Sequence, residues 1–285
     1  GLSATVADPK PLQRFLLPQP MEGAVRAERV IAKGLATPQL LTQVLVSKYC
    51  DHVPLYRQAQ IFARHGVELE RSTLSNWVGS ASWWLDSLHA VLAKSLFAST
   101  KLFADDTPIP VLDPGRGRTK TGRLWVYARD DRPWNGPDPP AAIYFYSQDR
   151  KGERPAAHLE KFKGVLQVDG YAGFERLTRN GKVVLAACWA HARRKFYDVK
   201  EATGSPIANE ALRRIAELYA IEERIRGSSA EERKAVRTLE MRPLLDDFKS
   251  WLGLQLTKIP GRSGLAEAIR YALSRWDALS RCVDD

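Results

Sequence analysis

Hydrophobic positions along the chain fall into three regimes. From Thr37 they recur at helical spacing: Thr37 can cap, Pro38 suits a first turn, and Leu41, Val44, Leu45 and Tyr49 share one face. A second helix fits residues 54–65, with Leu55, Ala59 and Phe62 inward and Gly66 as its stop. Ser72 opens a long helix in which Leu74, Val78, Ala81, Leu85, Leu88 and Leu92 repeat at spacings of three and four. The helix ending at Gly66, the turn at 67–71 and the helix from Ser72 have the outline of a helix-turn-helix, which would offer Ser72, Thr73, Ser75 and Asn76 to DNA. An ordinary helical pair gives the same pattern. Trp77, Trp83 and Trp84 read as core residues. Residues 1–36, with Pro9, Pro11, Pro18 and Pro20, read as a linker or part of an upstream segment.

From residue 100 the period shortens. Residues 101–105 read as a strand that ends in acid and is closed by Thr107-Pro108; residues 124–128 and 142–146 are two further strands rich in β-formers. Between the first two lies a glycine-rich basic loop, 113–123. A helix fits residues 155–162, a fourth strand 165–169, again ending in Asp, a fifth strand 183–187, and a helix from Trp189. The order β-β-β-α-β-α-β-α predicts an α/β fold with a mixed sheet. From residue 205 the pattern is helical only: an amphipathic run at 207–225, a Ser229/Glu232 capping box, an apolar stripe from Leu244 to Leu252, and a last one from Leu265 to Leu279. The chain divides accordingly into 1–36, 37–99, 100–204 and 205–285.

Composition narrows the class. The 285 residues are 44% hydrophobic and 27% charged, which excludes a disordered or fibrous chain. The longest wholly apolar run, 183–190, is eight residues. A membrane span needs about twenty, so no membrane partner is expected. No signal peptide opens the chain, and three scattered cysteines (Cys50, Cys188, Cys282) suggest a reducing cytoplasm. The net charge is +10, and +6 of it (19 basic, 13 acidic residues) falls in 101–204. Such an excess points to a polyanion such as nucleic acid.

The candidate chemistry is a pair of acids at strand ends, Asp105 and Asp169, 64 residues apart in sequence. Sheet neighbours bring such ends together, and converging carboxylates suit a hard divalent cation. A pair of such ions can activate an attacking oxygen and stabilise a leaving one at a phosphodiester. A lone strand-end Asp is more often a turn residue. Asp106, next along the strand, points to the opposite face if the strand continues, and is not counted as a primary ligand.

The sequence resembles transposases of the insertion sequence 66 family. The likeness is carried by Lys33-Gly34 with 40–49, Leu55-Tyr-Arg-Gln58, Ala104-Asp-Asp-Thr-Pro108, Gln167-Val-Asp-Gly-Tyr-Ala-Gly-Phe174, Cys188-Trp-Ala-His-Ala-Arg-Arg-Lys-Phe196 and Ala268-Ile-Arg-Tyr-Ala-Leu273, in that order across residues 33–280. It implies a DDE transposase with an RNase H-like mixed-sheet core at 100–204, an N-terminal helical (helix-turn-helix) region and a C-terminal all-α insertion at 205–285. Asp105 and Asp169 would be the first two acids of the triad, holding two Mg²⁺ or Mn²⁺ ions. Where the family usually has Glu after the first acid, this chain has Asp106. Cys188 and His191 match a motif that follows the second acid and would organise the active site or its DNA; two soft ligands are too few for structural zinc.

The family's third acid, a Glu, is expected beyond residue 285, and a cysteine-containing metal-binding segment upstream of the helix-turn-helix is absent, so the chain reads as part of a longer transposase. Glu217, Glu223 and Glu267 sit on amphipathic helices and are not promoted to the triad. Arg116, Arg118, Lys120 and Arg123, then Arg193, Arg194 and Lys195, are the expected phosphate contacts. The implied reaction is metal-dependent cleavage and strand transfer. The implied partners are element ends and target DNA, other copies of the chain on that DNA, and accessory proteins of the element. The implied location is the bacterial cytoplasm at the nucleoid. A non-catalytic DNA-binding remnant and a metal-free two-carboxylate glycosidase are the alternatives.

Overall fold

The computed structural model describes residues 36–284. The chain divides into two compact units between Val91 and Leu92.

In the first unit, helix α1 (Pro38–Tyr49) starts as its sequence dictates: the Thr37 hydroxyl accepts from the Leu40 N–H and Pro38 fills the first turn. Helix α2 (Leu55–Arg64) follows, and its exit turns on Gly66 at φ +77°. Helix α3 (Arg71–Phe97) is 27 residues long and runs on into the second unit. Leu40, Leu41, Val44, Phe62, Leu74 and Trp77 form the unit's core. Buried Gln58 pins α2 by donating to the carbonyls of Val44 and Val53. The stripe predicted along α3 is buried only at its start. Leu74 and Ala81 are inside, whereas Leu85, Leu88 and Leu92 are exposed. Of the three tryptophans read as core, Trp77 is buried, but Trp83 and Trp84 are exposed and pack edge to face against each other. The helix outruns the small three-helix core, so periodicity continues where burial does not.

The second unit is built on a five-stranded mixed sheet of an α/β protein. The strands are β1 (Lys101–Val111), β2 (Lys120–Arg129), β3 (Ala141–Ser147), β4 (Gly164–Val168) and β5 (Val183–Ala187), in the order β3-β2-β1-β4-β5. The first three are antiparallel, and β4 and β5 run parallel to β1. Thr107-Pro108 does not close β1. The strand runs on to Val111, pairing Pro108 with Arg123 and Pro110 with Thr121. Beyond Phe103 it has no pairing with β4, so it is an edge there, and an edge tolerates proline. Helix α4 occupies Glu153–His158, earlier than residues 155–162, and a 3₁₀ segment at Ala172–Asn180 fills the β4–β5 connection.

One sheet face is sealed by Leu102, Ala104, Trp125, Tyr127, Ile143 and Leu166 packing on Leu159, Phe162 and Phe174. On this face Tyr127 Oη and His158 Nδ1 are 2.9 Å apart, and His158 stacks on Phe145. The C-terminal helices share a second core: α5 (Trp189–Thr203), α6 (Pro206–Arg224), α7 (Ala230–Val236), α8 (Arg242–Lys258), α9 (Gly264–Leu273) and α10 (Trp276–Ser280). A π-helical turn, Arg237–Met241, joins α7 to α8. The Ser229/Glu232 capping box forms as predicted. Trp189 and Ala187 pack on this second core, and Arg281 donates to the Leu185 carbonyl, tying the helices to β5. No helix of the described residues is long and apolar enough to cross a membrane.

Candidate metal and phosphate site

The central position of β1 brings the two acids together, although Asp105 lies within β1 rather than at its end. Its parallel neighbour β4 ends at Val168, so Asp169 leaves the sheet beside Asp105. Asp105, Asp106 and Asp169 each offer a carboxylate oxygen within 4.8 Å of the others. This is the one group of three or more His, Cys, Asp or Glu side chains able to share an ion among the described residues.

The three acids have different surroundings. Asp105 is exposed, and one of its oxygens accepts the Asp106 N–H at 2.8 Å. Asp106 follows the pleat onto the opposite face, opposite Trp125, as the alternation requires, and its side chain is fully buried. Its carboxylate nevertheless reaches the cluster, a proximity that strand alternation alone did not suggest. Arg150 grips it side-on, with Nε at 2.9 and 3.0 Å from the two oxygens and Nη2 at 2.8 Å from one; Arg123 Nη1 adds a bond of 3.0 Å. This carboxylate, followed by burial working the other way, dominates the raised pKa of Arg150. Asp169 accepts the Tyr171 N–H at 2.9 Å, and its other oxygen lies 3.6 Å from Arg150 Nη2.

The turn after Asp169 is braced from the C-terminal helices. Tyr271 Oη donates to the Asp169 carbonyl, and Arg275 donates to the Gly170 carbonyl at 3.1 Å while lying over the Tyr271 ring. Two features favour glycine at position 170, the backbone conformation first and the nearness of a side chain that would have to shift second. The φ of Gly170 is +96°, and a Cβ there would meet Arg275 Nε at 2.5 Å. Tyr171 then turns back so that its ring lies 4.2 Å from the Arg150 guanidinium and its hydroxyl donates to the Arg150 carbonyl.

The donor set fits a hard divalent cation. All the ligands are carboxylate oxygens, and Asp105 and Asp169 each spend one oxygen on a single backbone N–H. Asp106 is different, because four hydrogen bonds from two guanidiniums occupy its lone pairs.

The other sequence candidates lie elsewhere. Arg116 and Arg118 are exposed on the loop between β1 and β2, and Arg116 pairs with Asp113 at 3.2 Å. Along a strand rising about 3.4 Å per residue, that loop stands five or more residues beyond Asp106. Lys120 opens β2, and Arg123 is turned inward to Asp106. Arg193, Arg194 and Lys195 are exposed on α5. Cys188 is the N-cap residue of α5 without a side-chain capping bond, and His191 Nδ1 is buried with no hydrogen-bond partner among the described residues. No third ligand joins this pair among the described residues. In the first unit Ser72, Ser75 and Asn76 are exposed and Thr73 is half-buried. Sequence reasoning missed Arg150, Tyr271 and Arg275. Tyr271 lies within a family-like segment; Arg150 carries no spacing signal and is placed by the segment that follows β3, a strand separated from β1 by β2.

The chain is 45% identical over 263 residues to uncharacterized protein y4jD of Sinorhizobium fredii (strain NBRC 101917 / NGR234), covering 90% of this chain and 52% of that protein. It is 39% identical over 274 residues to uncharacterized protein y4qI of the same strain, covering 93% and 51%. The chain thus spans about half the length of these curated relatives. The family described as "Transposase IS66 family" matches residues 33–285, and the chain belongs to it.

Proposed function

We propose that this chain carries the first two acids of a metal-dependent DNA cleavage and strand-transfer site on an RNase H-like core. The observation that supports it most is the convergence of Asp105 and Asp169 from adjacent parallel strands, within 4.8 Å at their ligand atoms. A divalent cation such as Mg²⁺ or Mn²⁺ at that point supplies activation of an attacking oxygen and stabilisation of a leaving one. The chain's own residues do the rest. Asp105 and Asp169 present free lone pairs on one side of the sheet end. The Gly170 turn, held by Tyr271 and Arg275, fixes where the Asp169 carboxylate points.

DNA is the partner that the family and the +10 charge support. In this reading the helical region 37–99 contacts the element ends through Ser72, Thr73 and Asn76, and residues 100–204 form the catalytic core. The helices of 205–285 support the second acid. Cys188 and His191 help organise the site, and several copies of the chain act together on DNA.

Mn²⁺ titration of the chain, followed by the loss of the free-ion electron paramagnetic resonance signal, tests the reading without requiring turnover. Asp105→Asn and Asp169→Asn should each weaken binding by about tenfold or more, the loss expected when one of two charged ligands is removed. Wild-type affinity in both variants would refute the assignment.

A further inference from the structure

We propose that Arg150 is a phosphate-binding residue of this site and that Asp106 is its positioning residue rather than a metal ligand. This deepens the reading given above and rests on it. A guanidinium has two hydrogen-bonding edges. The side-on edge of Arg150, Nε with Nη2, is consumed by Asp106. The end-on edge, Nη1 with the second N–H of Nη2, makes no hydrogen bond, while Nη2 also forms an ion pair with Asp169 at 3.6 Å. An end-on fork matches two oxygens of a phosphodiester bidentately.

The side chain is fixed before any ligand arrives. Asp106 holds it in plane, the Tyr171 ring lies 4.2 Å from its face, and Tyr171 Oη bonds the Arg150 carbonyl. The side chain is still 38% exposed, so it is not sealed from solvent. Asp106 is in turn saturated. Its oxygens accept three hydrogen bonds from Arg150 and one from Arg123, and the side chain is fully buried. A cation there would have to displace both guanidiniums. The neighbouring acids therefore divide the work: Asp105 and Asp169 face the ion, and Asp106 aims an arginine at the phosphate beside it.

Two measurements on the whole chain separate this from its rivals. The first is anisotropy of a fluorescein-labelled DNA duplex at fixed ionic strength, in Ca²⁺ and in EDTA. The second is Mn²⁺ affinity without DNA. Arg150→Gln should weaken duplex binding in Ca²⁺ by about tenfold, as expected for losing a charge-assisted bidentate contact, while Mn²⁺ affinity stays within about twofold of wild type on the same scale. Arg150→Lys, a point charge without a fork, should fall between. Asp106→Asn should reproduce the DNA defect with Mn²⁺ binding retained, and Asp106→Glu should recover most of it. A merely structural role for Asp106 would lower both affinities together, as would a ligand role, and either result overturns the proposal. Unchanged duplex affinity in Arg150→Gln also overturns it, including the case in which Mn²⁺ binds more tightly because Arg150 only occupies the cation's place. Loss of Mn²⁺ binding in Asp105→Asn and Asp169→Asn is read independently, so failure of the metal site is distinguishable from failure of the arginine assignment.

Discussion

Glu222 holds a charge cluster where the C-terminal helices meet the loop between β2 and β3, and its removal should cost more than removal of either arginine it holds. Arg237 donates to it from Nε at 2.7 Å and Nη2 at 2.9 Å, and Arg233 from Nη2 at 2.8 Å. Arg233 is buried, and its Nη1 donates to the carbonyls of Pro133 at 2.8 Å and Ile225 at 3.1 Å. Burial, then the nearness of Arg237, pushes the Arg233 pKa down, yet a guanidinium cannot discharge in a protein. Glu222→Gln therefore leaves two charged neighbours without an opposite charge. Breaking a buried pair costs about 3–5 kcal/mol, and because the Glu222 side chain is 31% exposed the lower end applies, about 3 kcal/mol.

Arg233→Met leaves no orphan. Glu222 keeps Arg237, the Pro133 carbonyl keeps the Gly227 N–H at 2.9 Å, and the Ile225 carbonyl keeps the Ser228 N–H at 3.2 Å. Its cost should be about 1 kcal/mol. For a unit of this size each kcal/mol moves Tm by about 2–4 °C. Thermal unfolding of the two variants should then show losses of roughly 6–12 °C and 2–4 °C respectively. An Arg233→Met loss equal to or larger than that of Glu222→Gln would refute the reasoning, because it would mean that hydrogen bonds, not uncompensated charge, dominate the cluster.

Three further outcomes are expected. Burial, followed by Arg154, holds His158 at a pKa of about 4, below its unfolded value of about 6.5. Its stabilising contribution, about 3 kcal/mol at most, is therefore full above pH 6.5 and is lost as the pH falls towards 4; urea midpoints against pH should flatten over that window in His158→Leu. Gly170→Ala must place a Cβ at a left-handed φ and against Arg275, so Mn²⁺ affinity should fall together with a stability loss of about 1–2 kcal/mol, read by titration and by urea. Replacing Arg116, Arg118 and Lys120 together by Ala should flatten the slope of log affinity against log salt by up to about 2.7, at about 0.9 for each phosphate that is no longer neutralised; an unchanged slope would place the DNA elsewhere.

Elements whose signal is local were legible from sequence. The Thr37-Pro38 helix start, the Gly66 stop, the Ser229 capping box and all five strands depend on neighbouring residues, and the structure has them. The approach of Asp105 to Asp169 was also legible, because the two acids sit at the same level of neighbouring parallel strands, although Asp105 lies within β1 and not at its end. Three things were not. The extent of β1 past Pro108 depends on β4 stopping short, which is a property of the sheet rather than of the Thr-Pro pair. The exposure of Trp83, Leu85 and Leu88 depends on how far the three-helix core reaches, while periodicity reports only that they share a face. The Arg150–Asp106 pair joins residues 44 apart through the segment that follows β3, two strands away from β1, and nothing in the spacing of either residue announces it.

Charge balance sets how many ions this chain can hold unaided. Three carboxylates and two guanidiniums, Arg123 and Arg150, meet at the site and leave one net negative charge. One divalent cation and one phosphodiester bring that sum to zero. A second cation would leave an excess of two positive charges, with Asp106 already committed to its arginines. Two ions about 3.5–4 Å apart also need carboxylates on both flanks, whereas Asp105 and Asp169 are the ligands left free here. Calorimetric titration with Mn²⁺ should therefore give one site per chain followed by distinctly weaker binding, because Asp105 and Asp169 are the carboxylates of this cluster that no arginine saturates. Adding a short duplex should tighten the weak step more than the strong one, because phosphates supply the missing negative charge. Two equivalent tight sites without DNA would show that another acid reaches this cluster, and the assignment of Asp106 to its arginines would have to yield.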